Sequence, residues 1–375
     1  MNYDIKLNGV NEFYSKLNNK TYNVLKVDSK KKQEFMINFF NNFINNQNKN
    51  INEKHYLGID FEFNKVRKTE RDVALMQMNL ENDNNVGTIF VFYPPELSED
   101  YKNVLIKLLT NNYIIKVLHG AESLDIPYLF NQLLIEDELI DKFCMNFYDT
   151  RFLCDYYHIN NNIKGRCSIY YLLLEHKIIN EKKFNELEKI EDITGPIYLI
   201  HIDIHKLDYN VFRYSLYDVL YLPELIKKFI NMGSPYSDII PEITSFINKY
   251  KRNPKNNFNE IEQTINSMNI NFIYEKDNMI LLNDIFEIFN VTVIDGYIAK
   301  IQKIDYFRKI IDIFIKLIIY YNISIHFDIY KNKNNKENIN LIKYIKYIEN
   351  YPHIKTFLQT ISTSINNDLN YRIKK

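Results

Sequence analysis

The most constraining stretch of the chain is HYLGIDFEF, His55 to Phe63. Its aromatic and β-branched residues read as a strand in which Ile59, Phe61 and Phe63 alternate with Asp60 and Glu62. Residues two apart on a strand point to the same face, so a core strand has to present two carboxylates side by side. That is costly unless something cationic neutralises them. Either one sheet face is wet, or the pair belongs to a divalent-metal site.

The neighbouring sequence fits a sheet around that strand. ALMQMNL (Ala74 to Leu80) and TIFVFY (Thr88 to Tyr93) read as further strands, with turn chemistry in NDNNVG between them. Tyr22 to Val27 is an expected strand and Lys31 to Phe43 an expected helix, followed by an Asn-rich surface loop from Asn45 to Asn50. Beyond the strands come a helix over Glu99 to Leu109, a strand over Ile114 to Gly120 and a helix over Asp125 to Leu134. A helical pattern then runs to about Asn231, broken at Gly195-Pro196. This order predicts an α/β core with a mixed sheet. Residues 1–235 form one expected domain, and MGSPYSD and YKRNPKNNFN mark a linker over 236–258. Residues 259–375 form an expected, mainly helical C-terminal domain. Within it, Asp295-Gly296 between VTVI and YIAKI signals a β-hairpin.

Composition narrows the function classes. Lys plus Arg equals Asp plus Glu at 47 each, so any nucleic-acid binding has to be local or metal-mediated. The most apolar segment, Ile310 to Phe327, is broken by Asp312 and Lys316, which argues against a membrane span. The N-terminus, MNYDIKLNGV, has no basic patch followed by an apolar run. Cys144, Cys154 and Cys167 are an odd number without disulfide spacing. The expectation is a soluble intracellular protein from a reducing compartment.

Two more segments carry acids in suggestive places. In VLHGAESLDIPYLF (Val117 to Phe130) a short strand ends at Gly120, and Asp125 sits where a helix begins, with Pro127 in its first turn. Asp125 alone would read as an N-cap. In RYSLYDVLYLPEL (Arg213 to Leu225) Tyr214 and Asp218 are four apart and share one helix face.

Taken in order, D-x-E, HGA…DI and Y-x-x-x-D resemble the ribonuclease D-like branch of the DEDD exonuclease superfamily, in its tyrosine-bearing subgroup. The resemblance extends over Tyr22 to Phe229, and YDTRFLCDYY (Tyr148 to Tyr157) is similar to the family's Asp-Thr helix start. It implies a ribonuclease H-like sheet flanked by helices. It also implies metal-dependent 3′–5′ hydrolysis of single-stranded nucleic acid, RNA or DNA, with two divalent cations, Mg²⁺ or Mn²⁺. By resemblance Asp60 bridges both ions, Glu62 and Asp218 hold the one that activates water, Asp125 holds the other, and Tyr214 orients the water. Asp149 supports the site and His119 contacts substrate. This chain has three residues between HGA and Asp125-Ile126, one more than the family pattern, so Glu122 is an alternative ligand. It also has no tryptophan, and GPIYLIHIDIHKLDYN (Gly195 to Asn210) replaces the family's Trp-Arg-Pro-Leu element. The alternative function is a non-catalytic nucleic-acid-binding scaffold that keeps the fold.

Overall fold

The computed structural model describes residues 11–15, 20–49, 54–67, 71–82, 87–238, 240–241, 244–245, 248, 293–294 and 297–298. The chain opens with β1 (Asn11–Ser15), β2 (Lys20–Val27) and α1 (Lys30–Lys49). An antiparallel meander follows, β3 (His55–Lys65), β4 (Arg71–Asn82) and β5 (Gly87–Phe92), then α2 (Glu99–Leu109) and β6 (Ile114–Leu118). Next come α3 (Asp125–Tyr128), α4 (Asp137–Cys144), β7 (Phe147–Asp149) and α5 (Thr150–Asn161). The last elements of this run are α6 (Ile169–Glu175), α7 (Glu181–Thr194), α8 (Tyr209–Leu220) and α9 (Leu222–Asn231). Seven strands form one sheet in the order β1-β2-β5-β4-β3-β6-β7. The pairs β2–β5, β3–β6 and β6–β7 are parallel and the others antiparallel. The sheet is mixed, as the order of strands and helices predicts.

The chain divides into two units, Met1–Cys154 with Gly165–Ser245, and Asp155–Lys164 with Phe246–Lys375. The sheet belongs to the first. In the second, β8 (Val293–Ile294) pairs antiparallel with β9 (Tyr297–Ile298), which is the ladder the Asp295-Gly296 dipeptide predicts. The rest of the expected 259–375 domain, and most of the expected 236–258 linker, lie outside the described residues.

Alternation along β3 sorts its two faces. Leu57, Ile59 and Phe61 are buried in a core that also takes Met36, Ile37, Phe40 and Phe43 from α1. Phe39 and Phe40 both meet the Phe90 ring edge-on, at 5.2 and 5.3 Å between centroids. Asp60 and Glu62 take the opposite face, the one that α8 covers. The α2 helix begins at Ser98, whose side chain accepts from the Tyr101 N–H, with Glu99 and Asp100 in the first turn where the helix dipole favours acids.

Four local expectations need correction. The Asn-rich run after Phe43 does not leave the helix, since α1 continues to Lys49. Each Asn costs only a few tenths of a kcal/mol in a helix, and Ile44 still packs on the core. The expected helix over Asp125 to Leu134 becomes one α-turn followed by a π-turn over Leu129–Leu133, closed by the Leu134 N–H on the Leu129 carbonyl at 2.7 Å. The wider turn buries Leu129, Phe130, Leu133 and Leu134 together. Phe147–Asp149 is a strand rather than part of the helical pattern, and three residues are too few for alternation to be read. Finally, Cys154 and Cys167 form a disulfide, 13 residues apart in sequence with Cα atoms 5.8 Å apart. The chain reverses after α5, where Asn162 adopts a left-handed φ of 54°, and no spacing rule anticipates that reversal. Among the described residues no helix is long and apolar enough to cross a membrane.

Candidate metal centre

Two backbone fits bring α8 onto β3. A Cβ on Gly58 would lie 3.1 Å from the Val219 carbonyl and 3.2 Å from the Leu222 Cβ, so any larger residue would push the α8–α9 junction back by a few tenths of an ångström. One strand over, Asn79 donates its amide to the Val219 and Leu220 carbonyls at 3.2 and 3.1 Å. These carbonyls lie at the helix end, where intrahelical partners run out. The result is that Asp218, on α8, faces Asp60 and Glu62, on β3. One carboxylate oxygen from each of the three lies within 4.8 Å of the others. A register shift in the β3–β4 ladder falls between Glu62 and Phe63, a bulge of the kind that re-aims side chains beside sites.

Glu62 is buried, and Asp60 and Asp218 are half-buried. Burial pushes the Asp60 carboxyl up to about 7. Burial also raises Glu62, reinforced by the charges of Asp60, Asp218 and Asp125 and opposed by a hydrogen bond with Ser215. Asp218 is raised by burial and then by Asp60, against hydrogen bonds from Tyr170 and Tyr214. The Tyr214 hydroxyl is held far above its ordinary value, first by the charge of Asp218 and then by burial, Glu62 and Asp60. It is a neutral phenol at any working pH.

Asp125 begins α3 but does not cap it. The capping position is Leu124, which makes no side-chain hydrogen bond to the helix. Asp125 is raised by burial and then chiefly by the charge of Asp60, and it is not one of the three tightly grouped acids. Glu122 instead makes an ion pair with Arg151 at 3.4 Å. Asp149 ties the HGA segment down. Its Oδ1 accepts from the Gly120 and Arg151 N–H groups at 2.8 and 2.9 Å, and its Oδ2 from the Ala121 N–H at 2.9 Å. Gly120 needs its left-handed φ of 67° for that turn. His119 lies 2.9 Å from the Thr150 hydroxyl, which itself donates to the Leu118 carbonyl at 3.1 Å. The His119 ring also hydrogen-bonds the Cys167 backbone. Burial depresses the imidazole to about 4, against the pull of Asp149, so it is neutral near pH 7.

The residues present suit a divalent cation. Three converging carboxylates are hard oxygen donors. Glu62 Oε1 is buried without a hydrogen-bond partner, as are both amide atoms of Gln77, which pairs across from Asp60. Unsatisfied buried polar atoms are rare in folded proteins and point to a missing ion or water.

Sequence reasoning missed Gly58, Asn79, Ser215 and Tyr170. Gly58 carried a readable signal, being one of only eight glycines and lying inside an apolar strand. Tyr170, which reaches Asp218 from α6, was hidden among 30 tyrosines.

No protein-family profile matches the chain. It is similar to an uncharacterized protein of Acanthamoeba polyphaga mimivirus, 31% identical over 315 residues, covering 76% of this chain and 60% of that protein. The chain thus spans three fifths of the relative's length. Among solved structures it is similar to Escherichia coli RNase D, an exoribonuclease involved in structured RNA processing. That match has a TM-score of 0.43 and 13% identity, over 66% of this chain and 56% of the other. It is also similar to the Aedes aegypti Nibbler EXO domain, with a TM-score of 0.38 and 14% identity over 58% and 93% of the two chains. A third is Trypanosoma brucei RNase D solved with RNA, with a TM-score of 0.36 and 16% identity over 55% and 61%. Two of these neighbours are RNase D proteins and one is an EXO domain. At such identities the activity of this chain has to be read from its own residues.

Proposed function

We propose that the chain is a metal-dependent 3′–5′ exonuclease that hydrolyses the terminal phosphodiester of single-stranded RNA or DNA. The observation that carries this reading is the convergence of Asp60, Glu62 and Asp218 within 4.8 Å, with the Glu62 Oε1 buried and unpartnered. Asp60, Glu62 and Asp218 would hold Mg²⁺ or Mn²⁺, and Asp125 supplies a fourth carboxylate. Divalent cations bound there polarise the phosphoryl oxygens and lower the pKa of bound water. The remaining tasks fall to the protein. Tyr214 keeps its proton, so it serves as a hydrogen-bonding group that orients the attacking water and not as the base. Asp149 holds the HGA turn that leads to Asp125, and His119 is the proposed substrate contact. Water adds to phosphorus, the 3′ oxygen leaves with a proton, and a nucleoside 5′-monophosphate is released.

The test is incubation of the purified chain with 5′-labelled single-stranded RNA and DNA in Mg²⁺, Mn²⁺ or EDTA. The expected result is a ladder shortening from the 3′ end with metal and none with EDTA. Strands that are bound but never shortened, with either metal, would assign the chain to the scaffold reading.

A further inference from the structure

Asp218 is held by two phenols, and the proposed reaction uses only one. Tyr214 lies one helical turn before Asp218 on α8 and hydrogen-bonds to it. Tyr170 comes from a different helix, α6, and donates its hydroxyl to Asp218 Oδ1 at 3.3 Å. Its ring is 5% exposed and is followed on α6 by Leu172 and Leu173, both fully buried, so packing fixes its direction. A phenol has one proton to donate. When Tyr214 turns that proton towards the attacking water it no longer steadies Asp218. Asp218 would then have Tyr170 as its remaining tyrosine donor.

We infer that Tyr170 is a positioning residue for this site: its hydroxyl holds the Asp218 carboxylate in the orientation that faces Asp60 and Glu62, and so sets the affinity for the divalent cation. This rests on the metal-site reading above and assigns Tyr170 no contact with substrate. Carboxylate ligands are commonly oriented by such outer hydrogen bonds, whose loss typically costs about 10–100-fold in metal affinity or activity. The division of labour is then definite. Tyr170 acts on cation affinity and Tyr214 acts on the water.

The experiment uses the full chain without nucleic acid, following its melting temperature against Mn²⁺ concentration, with turnover on labelled single strands measured alongside. Tyr170→Phe keeps the ring and removes only the hydroxyl. Its Mn²⁺ midpoint should rise by about tenfold, and turnover should return towards wild type as Mn²⁺ is raised. Tyr214→Phe should lose turnover that added Mn²⁺ does not restore. Tyr171→Phe, which alters an exposed neighbour, controls for the loss of a phenol and should leave the midpoint unchanged. A Tyr170→Phe midpoint indistinguishable from wild type would overturn the inference. So would a turnover defect that persists at saturating Mn²⁺. Wild-type protein whose melting ignores Mn²⁺ would remove the metal site itself. Normal metal binding without nuclease activity would count against the exonuclease alone, because the Tyr170 readout is cation affinity.

Discussion

The β3–β4 ladder carries a buried glutamate near each end, and the two are treated in opposite ways. Glu81, paired across from Tyr56, is fully buried and fully served. It accepts from the Tyr22 hydroxyl at 3.0 Å and from Lys227 Nζ at 3.1 Å, and that ammonium also lies 4.4 Å from the centroid of the Tyr56 ring. Glu62, paired across from Leu75, is nearly as buried, yet its near neighbours are other acids and its Oε1 has no partner. Helix α9 supplies a cation to one glutamate of the ladder, and the other is left uncompensated. A buried carboxylate left among like charges is expensive. The contrast therefore argues that the Glu62 end is completed by a cation from outside.

The most damaging test of that contrast is to remove an acid from the uncompensated end. Asp60→Ala or Asp218→Asn should abolish both the Mn²⁺-induced rise in melting temperature and nuclease turnover. The loss should exceed about 100-fold, the upper end for groups one bond further from a metal. Thermal melts with titrated Mn²⁺ and a single-turnover digestion check the two halves separately. Retained turnover in Asp218→Asn would show that the three-acid cluster is not the working site.

Next in size is Tyr214→Phe, which keeps the packing and all four acids. It removes a hydrogen bond that matters chiefly in the transition state, so kcat should fall while KM stays nearly constant. By analogy with an oxyanion-hole donor, the fall should be roughly 10²–10³. Steady-state kinetics on labelled strands decide it, and an unchanged kcat would mean that Tyr214 does no more than pack.

How much of this was legible beforehand depends on whether a side chain's task repeats along the chain. Asp60 and Glu62 could be placed on one face because a strand has period two, and Tyr214 and Asp218 because a helix returns after four residues. The α2 helix was readable over Glu99 to Leu109, the bounds the structure gives it. Glu81 was not readable, because Tyr22 and Lys227 lie 59 and 146 residues away from it. The Cys154–Cys167 bridge and the Tyr170 contact to Asp218, across 48 residues, escaped for the same reason. Tertiary partners leave no local pattern. The π-turn at Leu129–Leu133 and the three-residue β7 failed differently, since each is shorter than the window in which periodicity can be counted.

A pair of neutralising substitutions should show opposite signs at the two ends of the ladder. Glu81→Gln keeps an acceptor for Tyr22 but deprives Lys227 of its counter-charge. It should destabilise by about 2 kcal/mol, less than the ~3–5 kcal/mol of a fully buried pair because the Lys227 side chain is 23% exposed. Glu62→Gln removes repulsion with Asp60, Asp218 and Asp125. In metal-free protein at pH 8 it should stabilise, because it relieves like-charge repulsion at a buried site. Urea unfolding with EDTA present measures both. Two changes of the same sign would erase the distinction between the ends.

The last expected effect is the pH dependence of the metal's contribution. Without metal, folding raises Asp60 from 3.8 to about 7 and raises Glu62, Asp125 and Asp218 as well. Between those limits the folded protein holds protons that the unfolded chain has released, so stability falls as pH rises from about 4 through 7, on the order of 1 kcal/mol per pH unit for one proton. His119 pulls the other way. Its folded pKa is depressed to about 4, so the unfolded chain binds the extra proton and stability rises between about 4 and 6.5. Raw melting curves therefore mix the two signs. The difference between curves with and without Mn²⁺ at each pH cancels His119, whose titration is common to both, and isolates the acids that exchange protons for cation. That difference should grow steadily from pH 5 to 8 in the wild type and stay near zero at every pH in Asp60→Asn. An increment already at full size at pH 5 would mean that the acids are not protonated in the metal-free fold, and that the Glu62 end of the ladder is less exposed to like-charge repulsion than its geometry implies.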